Sequence, residues 1–450
     1  MKKVCFAFMC FCLVFQITNA QGFSTITNLD PFSLSDKTAD KSQAKLWNHD
    51  GKWWSVLSNG HDTKLFRLDG TKWTAVLILA TSNSKADCRV VGDLVHILLY
   101  KGGLKNAILV SIEYDNTTNN YKLWNIRPGS VNFLLPDGAV TASLVVDGDN
   151  RMWIATNTKN SMNVWWSDSP YTNWSSPITI ATGTMSDDNC ALAVISPQNK
   201  IGIFWSNKSS KRFGFKTHAD GANPNTWSTD EAPAANEAID NVGGGLADNH
   251  MNIKVASDGT LYCVTRTSYS KSNYPQLILL IRRPNGVWDN IYPVTMNPEG
   301  TQAILLLNET LGKIKVVYTT STNGNIIYRE SITNSIAFSE ALPLISGGSS
   351  LYNSPTSTHQ NYNSEVVVIA TNAGTSPWQA ASVKASDAIQ EDKTLPVVNS
   401  INRFSPLTES IQSSVVTFRA SFSEKVTGVD KSDFLLNVLS GSLNGVISEV

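Results

Sequence analysis

The sequence predicts an all-β chain built mainly from about seven similar four-stranded units. Three observations predict it: aromatic residues that recur behind polar turns with a near-constant step, paired short apolar runs with the same period, and the lack of any long helical periodicity. The aromatics are Trp73, Trp124, Trp174, Trp227, Trp288 and Phe338, at intervals of 51, 50, 53, 61 and 50 residues. Each follows a turn rich in Asp, Asn, Gly or Pro, such as Asp69-Gly70 or Pro284-Asn285-Gly286.

The paired runs give the strands. In each unit two apolar stretches flank a tight polar turn, as Leu144–Val146 and Met152–Ile154 flank Asp147–Asn150. Ile253–Val255 and Leu261–Val264 flank a turn holding Asp258-Gly259, and Ile304–Leu307 precedes Lys313–Val317 in the same way. Runs of this length bounded by such turns read as hairpins. Their near-continuous apolarity points to strands covered on both faces. Units of an inner hairpin and an outer pair, repeated seven times, predict a β-propeller, with the irregular first and last units allowing six or eight blades. The last unit runs short of strands after Ile369. Residues 22–40 are therefore expected to supply its outer strand, because an unclosed ring would expose sheet edges.

The ends of the chain carry different patterns. Residues 1–20 show a Lys2-Lys3 start, an apolar run to Phe15 and small residues up to Ala20. This is the three-part pattern of a secretory signal peptide, and the run is too short for a membrane span. The propeller is assigned to 21–388 and a second domain to 395–450, so the chain is expected to be secreted, extracellular or on the cell surface. In the second domain Val416, Phe418, Ala420 and Phe422 alternate with polar residues, as in a half-buried strand.

Two resemblances follow from these residues. Ser167–Trp174 resembles a degenerate Asp-box (S-x-D-x-G-x-T-W) of the sialidase-like, BNR-repeat propellers, with Ser169 in place of the Asp and Tyr171 in place of the Gly. Stretches such as Leu246–Met251 and Gly300–Asn308 resemble bacterial extracellular propellers of unassigned activity. The run Ser414–Phe434 is similar to bacterial immunoglobulin-like repeats, of which about 56 residues are present where such a sandwich has roughly 100. Those resemblances imply a glycan or polysaccharide as partner, or another surface protein. Sialidase chemistry, by the same resemblance, needs three pocket arginines. Only Arg89 and Arg266 are expected near the pocket, so exo-sialidase activity is not.

Composition narrows the partners further. The formal net charge is −1 and only 16% of residues are charged. Nucleic acid is not expected as a partner, because it rewards a basic face. Cys88, Cys190 and Cys263 lie in apolar runs and read as core thiols, not as a disulfide framework. No metal-ligand spacing and no cofactor motif occur, so neither is expected.

In a propeller the starts of the innermost strands and the ends of the second strands surround the funnel. The residues expected there are Lys45, Arg89, Gln302 and His359 at strand starts, with Trp205 and Arg266 at strand ends. Asp248, His250 and Arg266 belong to one unit and are expected to meet. A His beside an Asp can serve as a general base near neutral pH, and an Arg can grip a carboxylate with two parallel hydrogen bonds. That set suits a binding module for an acidic sugar. It also suits a carbohydrate-active enzyme, a polysaccharide lyase or glycoside hydrolase, with those three residues as its candidates. A protein-interaction scaffold is the third reading.

Overall fold

The turns read from the sequence close hairpins in a computed structural model, which describes residues 22–38, 44–101, 106–234, 237–321, 324–346, 351–372, 378–388, 396–408, 414–423, 426, 428–437 and 445–450. The signal-peptide segment, 1–20, lies outside the described residues. At Asp147 the turn is held by the side chain. Its Oδ1 accepts from the backbone N–H groups of Asp149 (3.0 Å) and Arg151 (2.9 Å), and its Oδ2 from Trp153 Nε1 (2.8 Å). This is the local bonding that makes Asp a turn former.

The sheets are the seven blades of a β-propeller. Blade 1 comprises Leu46–His49, Lys52–Asn59, Asp62–Asp69 and Lys72–Ala80. Blade 2 comprises Lys85–Val91, Leu94–Tyr100 and Asn106–Asp115, with Asn120–Leu123 and Val131–Leu134 sharing its outer edge. Blade 3 is Ala142–Val146, Met152–Asn157, Ser161–Ser167 and Ile178–Thr182. Blade 5 is Met251–Val255, Leu261–Arg266, Pro275–Arg282 and Tyr292–Met296, and blade 6 is Thr301–Asn308, Lys313–Thr319, Ile326–Ile332 and Leu342–Ile345.

Blade 4 departs from the four-stranded expectation. Cys190–Ile195, Lys200–Asn207 and Arg212–Ala219 form three strands, and a single bridge, Phe215 to Glu231, stands where a fourth would lie. The cause is compositional: 220–232 is dominated by Asp, Asn, Pro and Thr and has no alternating apolar set to bury. The 61-residue interval in the aromatic step reflects the long connection from Ala219 to Met251, which carries Trp227 near its start.

The N-terminal segment closes the ring, as expected. Blade 7 contains Tyr352–Thr356, Glu365–Asn372 and Trp378–Ser386. Thr25–Asn28 pairs antiparallel with Val383–Ser386, and Phe32–Leu34 with Trp378–Ala380.

The periodic aromatics are the contacts between blades. Trp73 of blade 1 donates from Nε1 to Ser382 Oγ of blade 7 at 3.1 Å. Trp174 meets Phe133 of blade 2 (4.9 Å between ring centres), Trp227 meets Trp153 of blade 3 (5.7 Å), and Trp288 meets Phe215 of blade 4 (5.5 Å). The period is therefore a packing requirement: Trp73, Trp174, Trp227 and Trp288 each set a large ring against the blade before, whereas Trp124 of blade 2 stacks on Tyr171 of blade 3 at 6.1 Å between ring centres. Tyr171, where the Asp-box pattern has glycine, takes a left-handed φ of 66°. The three cysteines are free and buried, and burial pushes their thiols up.

The chain contacts divide between Ala388 and Ile389. In the second unit Val398–Ser405 pairs antiparallel with Thr417–Phe422. Among the described residues no helix is long and apolar enough to cross a membrane.

Candidate functional site

Blade 5 positions the first cluster. The inner strand begins at Met251 and the second ends at Arg266, so His250 and Arg266 become neighbours, and the Arg266 N–H donates to the His250 carbonyl at 3.1 Å. Asp248 sits two residues earlier. Its Oδ1 accepts from the His250 backbone N–H (3.0 Å) and from His250 Nδ1 (2.6 Å). Its Oδ2 lies 3.9 Å from Arg266 Nη1. Burial pushes the Asp248 carboxyl up, but the hydrogen bond and charge of His250, with Arg266 behind them, leave it below the usual carboxylate range.

Blade 6 adds Gln302. Its strand carries a bulge between Thr301 and Ile304, and Gln302 takes a left-handed φ of 53°. A non-glycine residue held there is strained, and such strain persists where surrounding structure demands it. The result is Gln302 Nε2 at 3.1 Å from His250 Nε2. With Nδ1–H given to Asp248, Nε2 is left to accept from the Gln302 amide. Four residues expected in the funnel, Asp248, His250, Arg266 and Gln302, are thus brought together. Arg266 keeps 37% of its side chain exposed, and its Nε is buried without a hydrogen-bond partner among the described residues.

Two expected lining residues are corrected. Trp205 is only 3% exposed and packs between blades 3 and 4, with Val145 and Trp153. Its ring covers Gly214, where a Cβ would lie 2.2 Å from the indole. Lys45 is 2% exposed and donates to the Ala86 carbonyl at 2.8 Å. Neither presents its polar or aromatic surface to a ligand.

Arg89 and His359 lie elsewhere, in a chamber of ≈ 130 Å³ within the ring, lined also by Lys254, Asn361 and apolar residues of blades 4 and 5. Lys254 is four residues along the inner strand from His250, roughly 13 Å at about 3.3 Å per residue. Asp87 anchors His359. Its Oδ1 accepts from His359 Nε2 (3.1 Å) and the Ala44 N–H (3.2 Å), and its Oδ2 from the Leu144 N–H (3.0 Å). Burial, together with the charge of Arg89, lowers His359 to about 4 despite Asp87, so the ring is neutral at physiological pH.

Lys254 was not foreseen, because it is embedded in the apolar run Ile253–Val255. The signal that could have found it is a charged residue inside an otherwise apolar inner strand. Burial first, then the charge of Arg89, lowers it to about 7. Unfolding restores an ordinary lysine, so the unfolded chain binds the extra proton between about pH 7 and 10.4. Stability contributed through Lys254 therefore rises with pH across that window. Lys254→Met is expected to remove that rise, by about several kcal/mol over the window, as read by urea unfolding at pH 7 and pH 9.5. The two carbonyl hydrogen bonds lost with the amine shift both values equally.

A larger cleft of ≈ 430 Å³ lies between blades 7 and 1, lined by Asn48, Trp53, Gln360, Asn361, Asn363 and Glu365, among others. Asn361 lines both cleft and chamber. Nothing in the local sequence pattern of Asn361–Asn363 announces a cavity. Among the described residues no group of three or more His, Cys, Asp or Glu side chains is arranged to hold a metal.

A family model described as a two-component regulator propeller matches residues 134–158, which include the inner hairpin of blade 3. No curated protein matches the chain. Among solved structures, the polysaccharide lyase Uly1 is similar at 9% identity, with a TM-score of 0.47 and coverage of 77% of this chain and 90% of that one. The phage phi92 endosialidase shows 12% identity, a TM-score of 0.45, and coverage of 92% and 76%. An α-L-arabinanase of Penicillium chrysogenum, solved with arabinobiose, shows 9% identity, a TM-score of 0.41, and coverage of 69% and 100%. Similarity of this kind concerns architecture and does not transfer a reaction.

Proposed function

We propose that the propeller is a secreted binding module that takes an acidic glycan at the funnel mouth of blades 5 and 6. Arg266 grips the uronate-type carboxylate, and Gln302, held in place by His250, meets the sugar hydroxyls. The observation that carries this reading is the chain Asp248–His250–Gln302 beside a partly exposed arginine whose one carboxylate neighbour among the described residues is 3.9 Å away. A guanidinium so placed retains donors for a second carboxylate. Binding is favoured over catalysis because both ring nitrogens of His250 are engaged, and a general base needs one turned to the substrate. The export reading rests on the pattern of residues 1–20, and N-terminal sequencing of the mature protein should begin at Gln21. The unit from Ile389 onward is read as immunoglobulin-like, supported by the Thr417–Phe422 hairpin strand, along which Phe418, Ala420 and Phe422 alternate with polar residues.

The test is a titration of the purified protein with polyuronates and with neutral polysaccharides, following binding and product release together. Saturable binding of the polyuronates is expected. Arg266→Ala should weaken it by at least ~10-fold, the size of one charge-assisted contact. Unsaturated uronate absorbance that disappears in His250→Gln would replace the binding reading with a lyase. No response to any glycan would sink both and leave a protein partner as the reading to test.

A further inference from the structure

Two basic side chains, Arg89 and Lys254, line the chamber, and no carboxylate does. Among the described residues Arg89 of blade 2 reaches the Leu144 carbonyl alone, from Nε and Nη2, each at 3.3 Å. Lys254 of blade 5 reaches, among the same residues, the carbonyls of Thr358 and Gln360, each at 2.7 Å. Among the described residues neither cation has a carboxylate within ion-pair distance. Asp87, which acts on Arg89 through its charge, already accepts from Ala44, Leu144 and His359. His359 gives its Nε2–H to Asp87 and contributes no positive charge of its own.

Two desolvated cations facing one space are costly unless a counter-charge joins them. Arg89 is one of the residues that line this chamber. The chamber, at ≈ 130 Å³, is far below the ~300–1,000 Å³ of pockets that enclose organic ligands. It suits an ion with a few waters. Its lining residues include no carboxylate.

We propose that this chamber is a binding site for a small divalent oxyanion of the phosphate or sulfate type, held by the guanidinium of Arg89 and the ammonium of Lys254. Two cationic donors from opposite parts of the ring match a dianion in charge. A guanidinium fork and a point ammonium are the two side-chain devices that recognise tetrahedral oxyanions. The bound ion ties blade 2 to blade 5. It also steadies the Thr358–Asn361 segment of blade 7, whose carbonyls Lys254 holds. The site stands apart from the blade 5 mouth and does not rest on the glycan reading.

Occupancy should also recharge Lys254. Facing this amine are Arg89 from blade 2 and His359 from blade 7. Glu309 of blade 6 reaches the same region through Asn361, and Asp87 stands behind His359. A dianion favours the protonated amine, so binding above pH 7 takes up a proton and affinity falls as pH rises from 7 to 9.

The test uses the full chain and inorganic phosphate and sulfate, with chloride at equal ionic strength as reference. Thermal unfolding and calorimetry in buffers of different ionisation enthalpy give stability, stoichiometry and proton uptake. The expected result is one saturable site for phosphate or sulfate, a Tm that climbs with its concentration, and proton uptake at pH 8. Arg89→Met and Lys254→Met should each weaken binding by at least ~10-fold, whereas Arg266→Ala at the mouth should leave it unchanged. If either chamber variant fails to fold, crystals of the unaltered protein grown with selenate should give an anomalous peak between Arg89 and Lys254. A Tm response to phosphate and sulfate no larger than that to chloride would overturn the proposal. So would a saturable site that survives both chamber variants, or a selenate crystal without the peak.

Discussion

Deleting residues 22–34 is expected to leave a chain without a cooperative unfolding transition at 25 °C. The segment is short, but it supplies the outer edge of blade 7 and holds it to its neighbours. Thr25–Asn28 is exposed along its whole length, so its hold on Trp378–Ser386 comes from backbone pairing. The apolar contribution comes from the residues around it. Leu29 and Leu34 are 6% and 3% exposed in the core that joins blades 6, 7 and 1. Phe32 packs on Phe66 and Trp73 of blade 1, at 5.7 and 6.3 Å between ring centres. Phe23 packs on Tyr328 of blade 6 at 5.0 Å. Four such side chains, two of them half-buried, are worth roughly 5–10 kcal/mol. Whole domains are stable by about 5–15 kcal/mol. The loss is therefore comparable with everything the fold has, and it also bares a sheet edge. Circular dichroism melts and size-exclusion chromatography check it, and a synthetic peptide covering 22–38 should restore the transition in trans. A deleted chain that stays monomeric with a Tm within a few degrees of the parent would refute this account of closure.

How much of this was legible in the sequence follows from which constraints are local. The aromatic step could be read because Trp73, Trp174, Trp227 and Trp288 each set one ring against the blade before. The hairpins could be read because turns such as Asp147–Asn150 are satisfied by their own side chains. Closure could be read because the last unit lacked a strand and the first residues had none to join. The cluster of Asp248, His250 and Arg266 was visible because one hairpin carries it. Gln302 was placed correctly at a strand start, although the bulge that turns it toward His250 has no mark in the sequence.

The failures have a different physical origin. Strands buried on both faces carry no alternation, so the sequence does not say which residues look into the channel. Trp205 and Lys45 were assigned to the funnel for that reason, and both belong to buried packing between or behind strands. Lys254 was hidden by the same apolar run that identified its strand. The chamber itself joins residues 89, 254 and 359, drawn from three blades, and no local pattern connects them.

Lys315→Met is expected to cost about 3–5 kcal/mol, because it strips the central cation from a buried cluster and leaves the acids behind. Lys315 is fully buried, with Nζ 2.7 Å from Glu330 Oε2 and 2.7 Å from Asp387 Oδ1. The Tyr362 hydroxyl, 2.7 Å from Asp387 Oδ2, and Asn308 Nδ2, at 2.9 Å, complete the shell of Asp387. Burial, with Asp387 beside it, pushes the Tyr362 phenol well up, so it stays neutral and donates. Glu330 keeps a second cation in Lys313 at 2.9 Å. Asp387 has only Lys315 within ion-pair distance among the described residues, and its side chain is 1% exposed. Without Lys315 it is a buried carboxylate held by neutral donors. Adding Asp387→Asn should recover most of the loss, because the second change removes the charge that the first left alone. A double-mutant cycle by urea unfolding measures the coupling. If the two losses simply add, the cluster is held by packing around Phe23 and Tyr362 and not by its charges.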